Sequence, residues 1–218
     1  MATQAEPYAA RLDVDYPESL DRVTTAFRSI WISPIAIVLG ALSATATSTV
    51  TVVTATGEVV SEASRTGGGI VGGVFAATLL MIRFRQRDPR WWFDFALQFN
   101  RFTARVWAYA ALLTATYPST VDEQAVHLDL DYPDVPRDLN RWLPLDKWLL
   151  VIPHVIVLAF LIIGAFIAVV VAWFAILFTG RYPRGLFDYV VGVGRWGLRV
   201  TAYATLLVTD RYPPFRLG

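Results

Sequence analysis

Short alternating segments and long apolar runs follow one another along this chain, and the order occurs twice. Leu12-Asp13-Val14-Asp15 and Leu128-Asp129-Leu130-Asp131 alternate apolar with acidic residues, the period of a strand buried on one face. Beyond the second segment, from Trp148 to Phe178, apolar residues run almost unbroken, changed in character only by Pro153, His154 and Gly164. Thirty-one helical residues would extend about 46 Å against a hydrocarbon core of ~30 Å, so one straight span is not expected. The run over 145–180 is therefore read as a membrane hairpin with arms near 145–162 and 165–180, a shallow re-entrant hairpin or one strongly bent long helix being the alternatives because the arms are short for spanning. Its counterpart over 26–84 has arms at 26–45 and 69–84 and an inserted loop at 45–69. A loop lengthens easily at a hairpin tip, whereas an insertion in mid-span would break a membrane helix.

Each hairpin is followed by a basic turn, Arg83 to Arg90 or Arg181 to Arg184, and then by an amphipathic helix over 91–113 or 185–208. Asp94, Arg101 and Arg105 fall within about 40° of one another around the axis, and Asp188, Arg195 and Arg199 do the same. Two central arginines facing lipid would be costly. These helices are expected in the plane of the interface, with Trp91, Trp92, Trp107 and Trp196 near the headgroups, crossing of the membrane being the alternative.

The correspondence extends to residue identities. Leu12 to Pro17 recur as Leu128 to Pro133 at an offset of 116. Arg87, Pro89, Arg90, Phe93, Asp94, Arg101, Arg105 and Tyr109 recur at an offset of 94, and Pro34, Val38 and Leu39 at 119. The difference between 119 and 94 places 25 extra residues in the first half, within Thr45 to Gly69. The expected fold is an all-α integral membrane protein of two tandem repeats, 1–118 and 119–218. Each repeat contains a short strand-like segment, a transmembrane helical hairpin and an amphipathic interfacial helix.

Composition supports the bilayer as solvent: 55% of residues are hydrophobic, 17% are charged, and the mean hydropathy is +0.46. A soluble chain with that surplus would expose large apolar patches. A net charge of +1 gives a nucleic-acid partner no support, and the absence of cysteine removes disulfides, thiolate metal sites and Cys nucleophiles. The polar, acidic stretch Met1 to Glu18 is not read as a secretory signal. Eighteen of the nineteen basic residues are arginine, and of the nineteen only Arg65 falls in the inserted loop. The positive-inside rule then puts both termini on the cytoplasmic side of a multi-pass plasma-membrane protein.

Several motifs carry structure instead of chemistry. Gly192-Val193-Gly194-Arg195-Trp196-Gly197 fits a dinucleotide fingerprint by letter, but it lies inside a helical pattern, where close helix packing is expected. Gly68 and Gly72, with Gly69 and Gly73, form two G-x-x-x-G pairs suited to helix contact. His154 is expected to make a structural hydrogen bond, and Asp13, Asp15, Asp129 and Asp131 to form a solvated strand face rather than a metal site. No cofactor is expected.

Asp-Tyr-Pro openings, Ile152-Pro153-His154, Phe178-Thr179-Gly180-Arg181-Tyr182-Pro183-Arg184-Gly185 and Tyr212-Pro213-Pro214-Phe215 together resemble an uncharacterised membrane family of actinobacteria, a domain of unknown function often found in tandem. The resemblance covers the second half and is weaker in the first, where Ile35 stands in place of His154 and Phe84 to Pro89 replace the Phe-Thr-Gly-Arg-Tyr-Pro segment. It implies an integral membrane protein and supplies no activity.

The expected function is that of a non-enzymatic membrane accessory or scaffold protein, with a subunit of a channel or small-solute transporter as the alternative. Membrane lipids and other membrane proteins are the expected partners. The candidate surface is Asp94, Arg101, Arg105, Asp188, Arg195 and Arg199, holding anionic lipid or an acidic partner segment at the cytoplasmic face. The structural alternative pairs Asp94 with Arg195 and Asp188 with Arg101.

Overall fold

The computed structural model describes residues 8–43, 46–53, 59–66, 69–82, 90–120, 122–134, 139–140 and 142–218. Its elements are β1 (Ala10–Val14), α1 (Arg22–Ala26), α2 (Arg28–Ser43), β2 (Ala46–Val53), β3 (Val59–Thr66), α3 (Gly69–Leu80), α4 (Arg90–Ala110), β4 (Val126–Leu130), α5 (Leu143–Thr179) and α6 (Arg184–Ala204).

The two alternating segments are strands, and they pair with each other. β1 and β4 run antiparallel, from Ala10 opposite Leu130 to Val14 opposite Val126. Alternation puts Leu12, Val14, Val126 and Leu128 on the buried face, against α4 and α6, and leaves Arg11, Asp13, His127 and Asp129 outside. Asp13, Asp15, Asp129 and Asp131 are thus fixed by a two-stranded ribbon that joins distant parts of the chain.

The expected all-α fold of two membrane hairpins is overturned. Residues 145–180 do not fold back: Leu143–Thr179 is one helix of 37 residues with Pro153 inside it. The physical reason lies at the supposed tip. Leu161 to Phe166 contain no turn chemistry beyond Gly164, and a reversal there would strip backbone hydrogen bonds that a continuous helix keeps. The inserted stretch is not an open loop either. β2 and β3 pair antiparallel, Ala46 opposite Thr66 and Val53 opposite Val59, as runs of Thr and Val favour. Among the described helices only Asp146–Thr179 is long and apolar enough to cross a membrane; the apolar part of α2, Ile30–Gly40, is shorter. The four spans expected from the sequence are therefore not found.

α5 gives the protein a narrow seam. Lys147, Val151, His154, Leu158, Ala168, Ala172 and Ile176 are buried, with half-buried Leu161 and Ala165 between them. Steps of four and three residues define one face of a helix meeting a neighbour along its length. That neighbour is α6, which runs antiparallel: Trp196 lies against His154, and Tyr189 donates to the carbonyl of Leu161 at 3.0 Å. The helices expected to lie in the interface, 91–113 and 185–208, correspond closely to α4 and α6, but the buried faces of both pack inside the protein. α5 ends on Gly180 at φ 73°, a left-handed cap that returns its N–H to the carbonyl of Ile176. The Gly180 carbonyl accepts from the backbone of Leu20, which ties the α1 region to the end of α5.

Close glycine approaches occur, though not where the G-x-x-x-G pairs suggested. A Cβ on Gly194 would stand 2.5 Å from the Trp107 ring, and one on Gly164 2.5 Å from the Tyr189 hydroxyl. Among the described residues a Cβ on Gly72 or Gly73 meets nothing within 4 Å. Gly69 opens α3, and Gly68 lies outside the described residues. Gly194 lies in the Gly192 to Gly197 stretch where close helix packing is expected, and there the structure shows it. Two substitutions of the same kind should then differ in sign. Gly73→Ala should stabilise by up to about 1 kcal/mol through helix propensity, whereas Gly194→Ala should destabilise by about 1–2 kcal/mol because Trp107 must shift. Thermal unfolding of the detergent-solubilised variants reads both.

Candidate functional site

The arginines picked out by spacing are engaged within the protein. Arg101 donates through Nε to the Leu128 carbonyl at 2.8 Å and through Nη2 to Asp129 at 2.8 Å. Arg195 makes the matching pair, Nε to the Leu12 carbonyl at 2.8 Å and Nη2 to Asp13 at 2.7 Å. Each guanidinium thus clasps one strand of the ribbon from the helix beneath it. Arg105 donates to the Ser119 carbonyl, and Arg199 to those of Arg216 and Gly218. Burial, with Arg216 and Arg195 nearby, lowers the pKa of Arg199, but arginine stays cationic. Asp94 and Asp188 are exposed. Among the described residues these arginines meet strand aspartates, not the helix aspartates proposed as cross-pairs, because the ribbon lies over α4 and α6 and brings Asp13 and Asp129 into reach.

Aromatic contacts repeat the pattern. Tyr16 packs edge-on against Phe187 at 5.0 Å with Arg184 over its ring at 4.0 Å; Tyr132 packs against Phe93 at 5.1 Å with Arg90 at 5.6 Å. On the outer face, Arg11 grips Asp131 at 2.6 Å and His127 approaches Asp15 at 3.2 Å.

The motif near the C-terminus packs on the start of α5. His154 is fully buried; its Nδ1 accepts from Trp196 Nε1 at 3.0 Å, and its ring stacks on Phe215 at 3.9 Å. Lys147, also fully buried, donates to the Thr209 carbonyl at 2.7 Å, pairs with Asp210 at 2.8 Å and faces the Tyr203 ring. Sequence reasoning anticipated a structural His154 and missed Lys147. The available signal was that it is the one lysine among nineteen basic residues.

Among the described residues two buried arginines keep unpartnered nitrogens, Arg105 at Nε alone and Arg28 at both Nε and Nη2, and Arg28 was missed. Arg28 opens α2 and is 4% exposed. Its Nη1 donates to the carbonyls of Tyr109 and Thr114, and its guanidinium lies 4.2 Å over the Tyr109 ring. Nε and Nη2 are buried with no hydrogen-bond partner among the described residues. Burial pulls its pKa below the ordinary value, yet arginine remains charged. The side chain lines a cavity of about 530 Å³, bounded by Ile32, Leu112, Val169, Trp173 and Phe174. A second cavity of about 640 Å³ lies beneath the ribbon, lined by Leu12, Leu128, Trp107, Leu158 and Phe166 among others. Ala110 and Val169 line both, so the two spaces adjoin. The site is an apolar trough with a charge-assisted donor pair at one end. The positive end of the α2 dipole adds to the attraction for an anion there.

Charge swapping tests the clasps. Arg195→Asp should destabilise the fold, and Asp13→Arg should rescue it in part, since the bond to the Leu12 carbonyl cannot be restored. Asp94→Arg should give no rescue. The expected coupling with Asp13 is about 0.5–1 kcal/mol because that carboxylate is largely exposed. Denaturant titration of the four variants measures it.

No curated protein and no solved structure matches the chain. Residues 145–216, covering most of α5, all of α6 and the segment packed on His154, carry a domain of unknown function (DUF4389).

Proposed function

We propose that this protein is a non-enzymatic membrane accessory protein that holds an anionic lipid at the cytoplasmic face of the plasma membrane, with both of its termini on that side. The observation that carries the reading is Arg28: a buried guanidinium with two donor nitrogens unpartnered among the described residues, at the end of an apolar cavity. A lone buried charge is costly, and an anion supplies the missing interactions. The occupant must also be compatible with Ile32, Val169, Trp173 and Phe174, which favours a headgroup phosphate or carboxylate on a hydrocarbon chain over a free inorganic ion. The neighbouring cavity beneath the ribbon offers further apolar space. Arg101, Arg105, Arg195 and Arg199 serve this function indirectly by fastening the ribbon and the chain segments beside α4 and α6. The cytoplasmic side is supported by the anionic lipid of that leaflet, which attracts basic groups such as the exposed Arg181 and Arg184.

Arg28→Gln is the direct test. Its thermal midpoint should stay near the wild-type value, because the partial satisfaction of a buried cation is removed together with its charge. Anionic lipid copurifying in mild detergent should fall several-fold, with zwitterionic lipid unchanged. Quantitative lipid mass spectrometry reads the outcome; equal anionic lipid in the folded variant overturns the reading.

A further inference from the structure

We infer that α5 lies along the membrane plane, its seam toward the protein and its outer surface in the hydrocarbon of one leaflet, although its length and composition would let it cross. The inference needs membrane association but not a lipid at Arg28.

Three observations fix the orientation. First, the exposed apolar stretch is too long for an upright span. From Trp148 to Phe178 it covers thirty-one residues, about 46 Å of helix, and matching that to a core of ~30 Å needs a tilt near 50°, beyond the usual 0–40°. Second, the charged ribbon sits over the middle of α5. The undersides of β1 and β4, Leu12 and Leu128, share a cavity with Leu158, Ile162 and Phe166. On the ribbon's outer face, Arg11, Asp13, Asp15, His127, Asp129 and Asp131 all have side chains at least 47% exposed. If α5 crossed the bilayer, these groups would stand at mid-depth, where charge is most costly. Third, the seam is narrow, and the row opposite it, Leu149, Ile156, Ile163 and Val170, is exposed and wholly apolar.

The occupant of that surface is lipid. A partner helix would cover one stripe, whereas exposed residues flank the seam on both sides, Val155 on one and Val157 and Val171 on the other. A protein partner would also meet polar groups at about one hydrogen bond per 100–200 Å², and these side chains offer none. Beyond the C-terminal end of α5, exposed Arg181 and Arg184, with exposed Arg22 nearby, suit anionic headgroups.

The cysteine-free chain allows clean placement of spin labels. Leu149→Cys, Ile156→Cys, Ile163→Cys and Val170→Cys lie seven residues apart on one row, over about 32 Å of axis. The labelled full chain is bound to vesicles of phosphatidylcholine and phosphatidylglycerol, and collisions with oxygen and with a water-soluble nickel chelate are measured. The expected result is one common depth at all four positions, with a label at His127→Cys in water. A depth that peaks at Ile156 and Ile163 and falls at Leu149 and Val170 overturns the inference in favour of crossing. Labels shielded from both reagents overturn it in favour of a second copy or another protein. Failure to bind vesicles overturns membrane association itself. A flat depth profile together with unchanged lipid in Arg28→Gln leaves this orientation standing and removes only the Arg28 reading.

Discussion

α5 presents one face to the rest of the protein, and the architecture is what can be assembled along that face. The seam changes character along its length. Small residues, Ala165, Ala168 and Ala172, line its centre and C-terminal half, while Lys147 and His154 occupy its N-terminal end. Those two polar side chains can be buried only because the segment Thr209 to Phe215 returns to meet them. The packing of α6 and the course of the chain after it are thus both dictated by α5.

The second organising contact is the ribbon, where residues separated by more than half the chain become neighbours. Pairing β1 with β4 would give only a marginal two-stranded sheet by itself. Its stability comes from its apolar underside on α4 and α6 and from guanidiniums that each take a strand carbonyl and a carboxylate at once. These clasps explain why arginine recurs at matched positions on both helices: lysine could not reproduce the paired geometry. Arg28 departs from this rule, since its guanidinium is only partly satisfied.

Much of this was legible in the sequence. The strands followed from two-residue alternation, and α4 and α6 from their charged stripes. The uninterrupted apolar run misleads, because its length set against the thickness of a bilayer points to a fold-back. A helix can exceed that thickness when it does not cross, and the seam that distinguishes the two cases is hidden when every position around the helix is apolar. The inserted stretch reads as a loop by its position at a hairpin tip, whereas its Thr and Val content favours the strands found there. The helix arginines were recognised as a set, but their partners depended on where the ribbon lay, which spacing along one helix cannot supply. Arg28 left little trace: one cation before an apolar run reads as a boundary residue until its surroundings are known.

The ribbon also orders events in time. Leu12 pairs opposite Leu128, and its carbonyl waits for Arg195, 183 residues further on. At synthesis rates of about 5–20 residues per second, that separation corresponds to roughly 10 to 40 s. Until β4 emerges, 116 residues after Leu12, β1 is an unpaired strand with Leu12 and Val14 uncovered, and later in the interval the emerging α5 presents its apolar surface as well. Both exposures invite association with the wrong chain. A nascent chain whose α5 reaches a bilayer as it emerges removes the larger hazard before the ribbon is finally clasped, so membrane arrival belongs to the folding pathway of this protein as well as to its destination.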